Sequence, residues 1–132
     1  MEPRKLIYLA SPYRADDPRL VRIRYKLAVK TAAKIITRWG HHVFTPIGHS
    51  HPIAMDKAFN QENNTHSYWL SLDFKILDIC DEIWLLTLPG YERSEGMQRE
   101  QIYAREKGKP VFTVTPRLKL TKVKIDAKKA VL

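Results

Sequence analysis

Three short segments carry side chains able to do nucleophilic or acid–base work. The first is Ser94-Glu95-Gly96-Met97-Gln98-Arg99-Glu100. A serine there reads as a helix N-cap, and a helix start offers unpaired N–H groups and the positive end of the dipole, which suits a phosphate. Gly96 permits close approach of a ligand. Glu100 falls about 1.7 turns further on at 3.6 residues per turn, so its carboxylate reaches a cleft if that helix face points inward. A capped surface helix would satisfy the same spacing, because Glu95 and Glu100 are ordinary helix formers. The second segment is Tyr8-Leu9-Ala10-Ser11-Pro12-Tyr13-Arg14. Tyr8 lies in an apolar run, where its hydroxyl needs a partner, and Arg14 lies beyond the run, where a guanidinium can hold a phosphate through paired hydrogen bonds. A core tyrosine and a surface arginine are the plainer alternative. The third is Asp73, an acid among apolar neighbours in Trp69-Leu70-Ser71-Leu72-Asp73. Such an acid has its pKa raised and can donate a proton, unless it is the polar position of an amphipathic helix.

The histidines suggest a different chemistry. His41, His42, His49, His51 and His66, with Asp56, could ligate a metal in a hydrolase. Their spacing matches no strong zinc signature, and His49 and His51 alternate, so an extended loop would turn them to opposite sides. They read better as loop residues that touch a ligand, and neither a metal nor an organic cofactor is expected.

These residues must be held by a scaffold. Leu6–Ala10 reads as a buried first strand. Asp17-Pro18 reads as an N-cap with proline at the first helical position, and the helix, with Leu20, Ile23, Leu27, Ile35 and Trp39 near one stripe and Ala28, Ala32 and Ile36 widening it, should stop at Gly40. A second strand is expected over Val43–Thr45, closed by Pro46. Residues 47–64 read as an active-site loop with a short helix near 54–59. Thr65 caps a third helix to about Ile79, with Trp69, Leu72, Ile76 and Ile79 on one face. A third strand over Glu82–Leu88, a fourth helix from Ser94 to near Gly108 and a fourth strand over Pro110–Val114 follow. Strands alternating with helices imply a single-domain, three-layer α/β fold with a mainly parallel sheet of four or five strands, of the Rossmann or flavodoxin type. Ligands in such folds lie beyond the carboxyl ends of the strands. Residues 11–14, 46–51 and 89–94 all leave strand ends.

The chain has 132 residues, 44% apolar and 28% charged, with one cysteine, Cys80. This fits one globular domain without a disulfide or cysteine-rich metal site. No apolar run approaches a membrane span, no secretory leader is expected at the start, and a reducing cytoplasm is the expected setting. The formal charge is +9. Residues 116–132 hold six Lys/Arg and one Asp and read as a basic tail beyond a domain of residues 1–115. A basic tail can touch nucleic acid, but this one has no aromatic residue for base stacking, so a solvated tail is the expectation.

Together these residues resemble the nucleoside 2-deoxyribosyltransferase-like superfamily, which includes nucleoside deoxyribosyltransferases and 2′-deoxynucleoside 5′-phosphate N-hydrolases. The similarity is nearest to its DUF1937 branch. It rests on Tyr-Leu-Ala-Ser-Pro-Tyr at 8–13, Gly-His-Ser-His-Pro-Ile at 48–53, and Leu-Pro-Gly-Tyr followed by Ser-x-Gly-x-x-x-Glu from 88 to 100. The resemblance implies cleavage of an N-glycosidic bond, by hydrolysis or transfer, in a nucleoside or nucleotide. It implies Glu100 as nucleophile, Tyr8 orienting it and Asp73 assisting departure of the base. Ser94, Gly96, Arg14 and Ser11, with His49 and His51, are then ligand contacts. It also implies a homodimer or larger assembly, to which Tyr68, Trp69 and Tyr91 could contribute exposed aromatic surface. The loop at 90–93 is longer than in the hydrolases, Glu92 and Glu95 set negative charge near the proposed phosphate, and the 48–52 segment has no clear counterpart in the characterised enzymes. A non-catalytic nucleotide-binding module is the alternative reading.

Overall fold

A computed structural model describes residues 4–124. Five strands and four helices alternate along the chain: β1 (Leu6–Ala10), α1 (Pro18–Trp39), β2 (His42–Phe44), α2 (Pro46–Ala54), α3 (His66–Ile79), β3 (Glu82–Leu86), α4 (Glu95–Glu106), β4 (Val111–Val114) and β5 (Leu120–Lys122). Local chemistry sets the helix ends. Asp17 accepts from the Arg19 N–H at 2.9 Å with Pro18 behind it, and Gly40, at φ 71°, turns the chain out of α1 in the left-handed conformation that favours glycine. Thr65 and Ser94 cap α3 and α4 by accepting from the Tyr68 and Met97 N–H groups at 3.2 and 3.3 Å.

The sheet order is β2-β1-β3-β4-β5. The first four strands are parallel and β5 runs antiparallel to β4. Side chains of a strand alternate between faces, and the core divides accordingly. Ile7, Leu9, Trp84 and Leu86 pack with Ala28, Ala32 and Ile35 of α1 and Ile47 of α2. Tyr8, Ala10, Ile83 and Leu85 pack with Leu77 of α3 and with Met97 and Ala104 of α4. The result is the expected three-layer α/β fold with helices on both faces.

Several element expectations need correction. Residues 46–54 form α2, not a loop, and the short helix expected near 54–59 is absent, with 55–59 in turns and bends. Thr45 does not extend β2: its side chain accepts from the Gly48 N–H at 3.4 Å, with Pro46 at the first helical position, the same device that starts α1. On α3 the fully buried residue is Leu77, while Ile79 is 67% exposed. Asp73 and Leu77 face inward in place of Leu72 and Ile79, because the helix packs its Leu70–Asp73–Leu77 side over the cleft and the sheet. On α1 the buried stripe is narrower than the periodicity suggests: Ala28, Thr31, Ala32 and Ile35 are buried, but Leu20, Ile23 and Ile36 are exposed. β3 stops at Leu86, two residues early, and residues 120–122 of the basic segment form a strand, so the sheet continues past residue 115.

Candidate active site

Two carboxyls and a phenol meet beneath α4. Tyr8 is the middle residue of β1 and faces α4, where its buried hydroxyl donates to Glu100 Oε2. Glu100 sits in the second turn of α4 and is 6% exposed. For a carboxyl this is deep burial, and it lacks a cationic partner among the described residues. Loss of water pushes the Glu100 carboxyl up to about 8, the charge of Asp73 adds to the rise, and the Tyr8 hydrogen bond opposes it. Burial likewise raises Asp73 to about 7, again against the Tyr8 hydroxyl. The Tyr8 phenol is held well above its ordinary range by burial and then by the two carboxyls. At neutral pH the two carboxyls therefore compete for about one proton, the arrangement by which one acid and one base are made from a like pair.

Glu100 and Asp73 open onto a cleft of about 920 Å³ at the carboxyl edge of β1 and β3. In the strand order 2-1-3-4 the crossovers depart in opposite directions on either side of β1, which leaves a crevice there. Ser11, Arg14, Ser94 and Gly96 line the same cleft. A Cβ added at Gly96 would stand 3.8 Å from the His66 ring and 3.9 Å from Glu100 Oε1, so glycine keeps the approach to that carboxylate open. The Ser11 hydroxyl is buried without a hydrogen-bond partner among the described residues.

His49 and His51 do not line the cleft. Because α2 is a helix, His49 points to Phe44, with ring centroids 6.1 Å apart. His51 Nδ1 bonds the Tyr13 hydroxyl at 2.6 Å and its ring stacks on Tyr25 at 4.3 Å. Desolvation holds the His51 imidazole below its ordinary range, and His51 touches the cleft wall only through its bond to Tyr13. Among the described residues no three His, Cys, Asp or Glu side chains cluster as metal ligands do.

Two basic lining residues, Arg24 and Arg93, were not singled out as site residues from the sequence. Arg24 of α1 donates to the Arg14 carbonyl at 2.8 Å and the Pro89 carbonyl at 3.3 Å, joining the loops that follow β1 and β3. Arg93 adds a second guanidinium. His66 stands beside Gly96, and Trp69, held by a 2.7 Å bond from its indole N–H to Asn64, closes one side. Trp69 is therefore part of the cleft, and Tyr91 packs against the core of the α3–α4 face. Of the three aromatics expected on the surface, only Tyr68 is widely exposed, at 55%.

The family model described as a domain of unknown function, DUF1937, matches residues 5–115. The chain belongs to the DUF1937 family. No curated protein matches it significantly. Among solved structures, this DUF1937 chain is similar to the 2-deoxyribosyltransferase from the psychrotolerant bacterium Bacillus psychrosaccharolyticus, with a TM-score of 0.58 over 95% of this chain and 79% of that one at 21% identity. The DUF1937 domain thus has the fold of that enzyme. Every residue from Tyr8 to Glu100 that forms the carboxyl pair and the cleft lies inside the matched segment.

Proposed function

We propose that this DUF1937 protein cleaves the N-glycosidic bond of a nucleoside or nucleotide, with Glu100 as nucleophile. The observation that carries the reading is the buried Tyr8–Glu100 hydrogen bond beside Asp73 at the floor of the cleft. A surface acid needs no phenol to fix its orientation, whereas a nucleophile does. The shared fold with a deoxyribosyltransferase supports the same class of reaction.

In this reading a Glu100 carboxylate oxygen forms a bond to the anomeric carbon as the bond to the base breaks, and the base leaves with the bonding pair. Asp73 supplies the proton that the departing base takes up. Both carboxyls are raised together; the Tyr8 hydrogen bond favours the Glu100 anion, and a basic nitrogen placed against Asp73 accepts the proton that the pair holds. Water resolving the glycosyl ester gives hydrolysis, and a second base gives transfer. Ser94, Arg14 and the start of α4 form the anion end of the cleft, with Arg93 beside them. Arg14→Ala is expected to weaken nucleotide binding more than nucleoside binding, and equal losses would remove the phosphate assignment. We also infer a homodimer or larger assembly, for which light scattering is the measurement. Tyr68, Ile79 and Ile102 supply exposed apolar surface on α3 and α4.

The deciding experiment is a screen of nucleosides and nucleotides for free base. Wild type is expected to release one, and Glu100→Gln to lose on the order of a thousandfold or more while still binding ligand. Binding without base release by wild type would favour the non-catalytic module.

A further inference from the structure

Charge is unevenly divided between the two faces of the sheet. α1 contains no acidic residue, and none occurs anywhere from residue 18 to 55 or from 107 to 125. Ten of the fourteen acids lie between Asp56 and Glu106, the stretch that contains α3 and α4 on the opposite face. On α1, Arg22, Lys26, Lys30, Lys34 and Arg38 recur every fourth residue, and all are exposed. They form one ridge in steps of ~6 Å, ~24 Å long at 1.5 Å per residue. Arg22, Lys26 and Lys30 have no ion-pair partner among the described residues. The tertiary fold then adds to the ridge. Lys34 Nζ donates to the Pro116 carbonyl at 3.1 Å, which seats the β4–β5 turn against α1. Leu118 and Leu120 pack into the core on the α1 side, leaving Arg117 and Lys119 exposed at the turn.

We propose that the outer face of α1 and the β4–β5 turn form a binding surface for a nucleic-acid backbone. The occupant is a polyanion with regularly spaced charges, because the surface offers a line of cations rather than one pocket. A membrane fits less well. The continuous apolar stripe of α1 (Ala28, Ala32, Ile35) is already buried on the sheet, and its exposed apolar residues, Leu20, Ile23, Val29 and Ile36, fall as two pairs on different sides of the helix, which gives lipid no single apolar face to take up. The ridge carries no exposed aromatic, since Tyr25 is stacked on His51 and Trp39 packs against Trp84. Recognition is therefore of phosphates and not of bases, and it is sequence-independent. The ridge begins beside the cleft, where Val21 and Arg24 are wall residues, but the proposal does not depend on any reaction there.

The test is fluorescence anisotropy of the full chain with a labelled single strand of about 20 nucleotides, from about 50 to 250 mM salt. Wild type is expected to bind with a Kd on the order of micromolar at low salt, and log K to fall linearly with log salt with a slope of about −2 to −4. Lys26→Glu/Lys30→Glu should lower affinity at least about tenfold and flatten the slope by about 2. Lys26→Gln/Lys30→Gln, a milder change that keeps good helix formers, should show the same direction with a smaller loss. Lys57→Glu/Lys75→Glu carries the same net-charge change away from the ridge and should alter affinity by less than about threefold. The proposal is overturned by no binding at the lowest salt or by equal losses in the ridge and control pairs. Binding to phosphatidylserine vesicles that the ridge pair abolishes, with none to the oligonucleotide, would make the surface a membrane contact and overturn it equally.

Discussion

Burial disfavours the charged form of both Glu100 and Asp73. For Glu100 the ordinary value of 4.5 rises to about 8, and for Asp73 3.8 rises to about 7. The folded state therefore binds these protons more tightly than the unfolded chain, and stability falls as pH climbs from about 4 to about 8. Glu100→Gln removes a buried charge and keeps the shape. Its stability should match wild type near pH 4 and exceed it increasingly up to pH 8, by about 1 kcal/mol or more at the top of that window. Thermal melts across pH check this, and an unchanged pH profile of stability would mean Glu100 is solvated. The same pair sets an expected pH dependence of kcat/KM. Below about 7 both carboxyls are protonated and the nucleophile is lost; above about 8 both are ionised and the acid is lost. The profile should be a narrow bell. Asp73→Asn should abolish its alkaline limb and shift the acid limb down, because the neighbouring charge that helps raise Glu100 is gone.

At the scale of elements, the cleft depends on two loops that no strand or helix fixes. Arg24 ties them together from α1 through two carbonyls. Gly90 makes the second contact possible: it stands at φ 90°, and a Cβ there would come 3.2 Å from Arg24 Nη2. Arg24→Ala should cost about 1 kcal/mol or less of stability for the lost hydrogen bonds at a half-exposed site. Its larger effect should be a raised KM at nearly constant kcat, since the groups around Glu100 do not touch Arg24. A drop in kcat with unchanged KM would show instead that the loops carry the reacting geometry.

At the scale of the molecule, β5 covers the edge of β4, and Leu118 and Leu120 join the α1-side core. A chain ending at residue 115 should lose about 2–4 kcal/mol for two partly buried leucines and an uncovered strand edge, lowering Tm by several degrees. Denaturant titration of the two lengths measures it. An equal midpoint would mean the hairpin adds charge without stability. The described residues contain no helix long and apolar enough to cross a membrane.

The fold class, the order of elements and the caps at Asp17, Thr65 and Ser94 could be read from the sequence, because each rests on local chemistry: an apolar run, a side-chain acceptor, a proline or glycine where its dihedral angles fit. The same cue, Thr45 followed by Pro46, precedes α2, but there it also fits the end of a strand, and the polar, histidine-rich residues after it have the composition of a loop. Glu100, Tyr8 and Asp73 could be singled out from motif and residue type, but spacing could not say that they come together. That was decided by strand pairing: β1 lies beside β3, so a tyrosine near the start of the chain meets a helix 92 residues later. Arg24 and Arg93 were illegible for the same reason, since each is an ordinary surface-type residue until packing turns it toward the cleft. The basic ridge is the clearest case. Lys34 and Arg117 lie 83 residues apart, and only the seating of the β4–β5 turn against α1, through the Lys34–Pro116 hydrogen bond, brings their like charges onto one face.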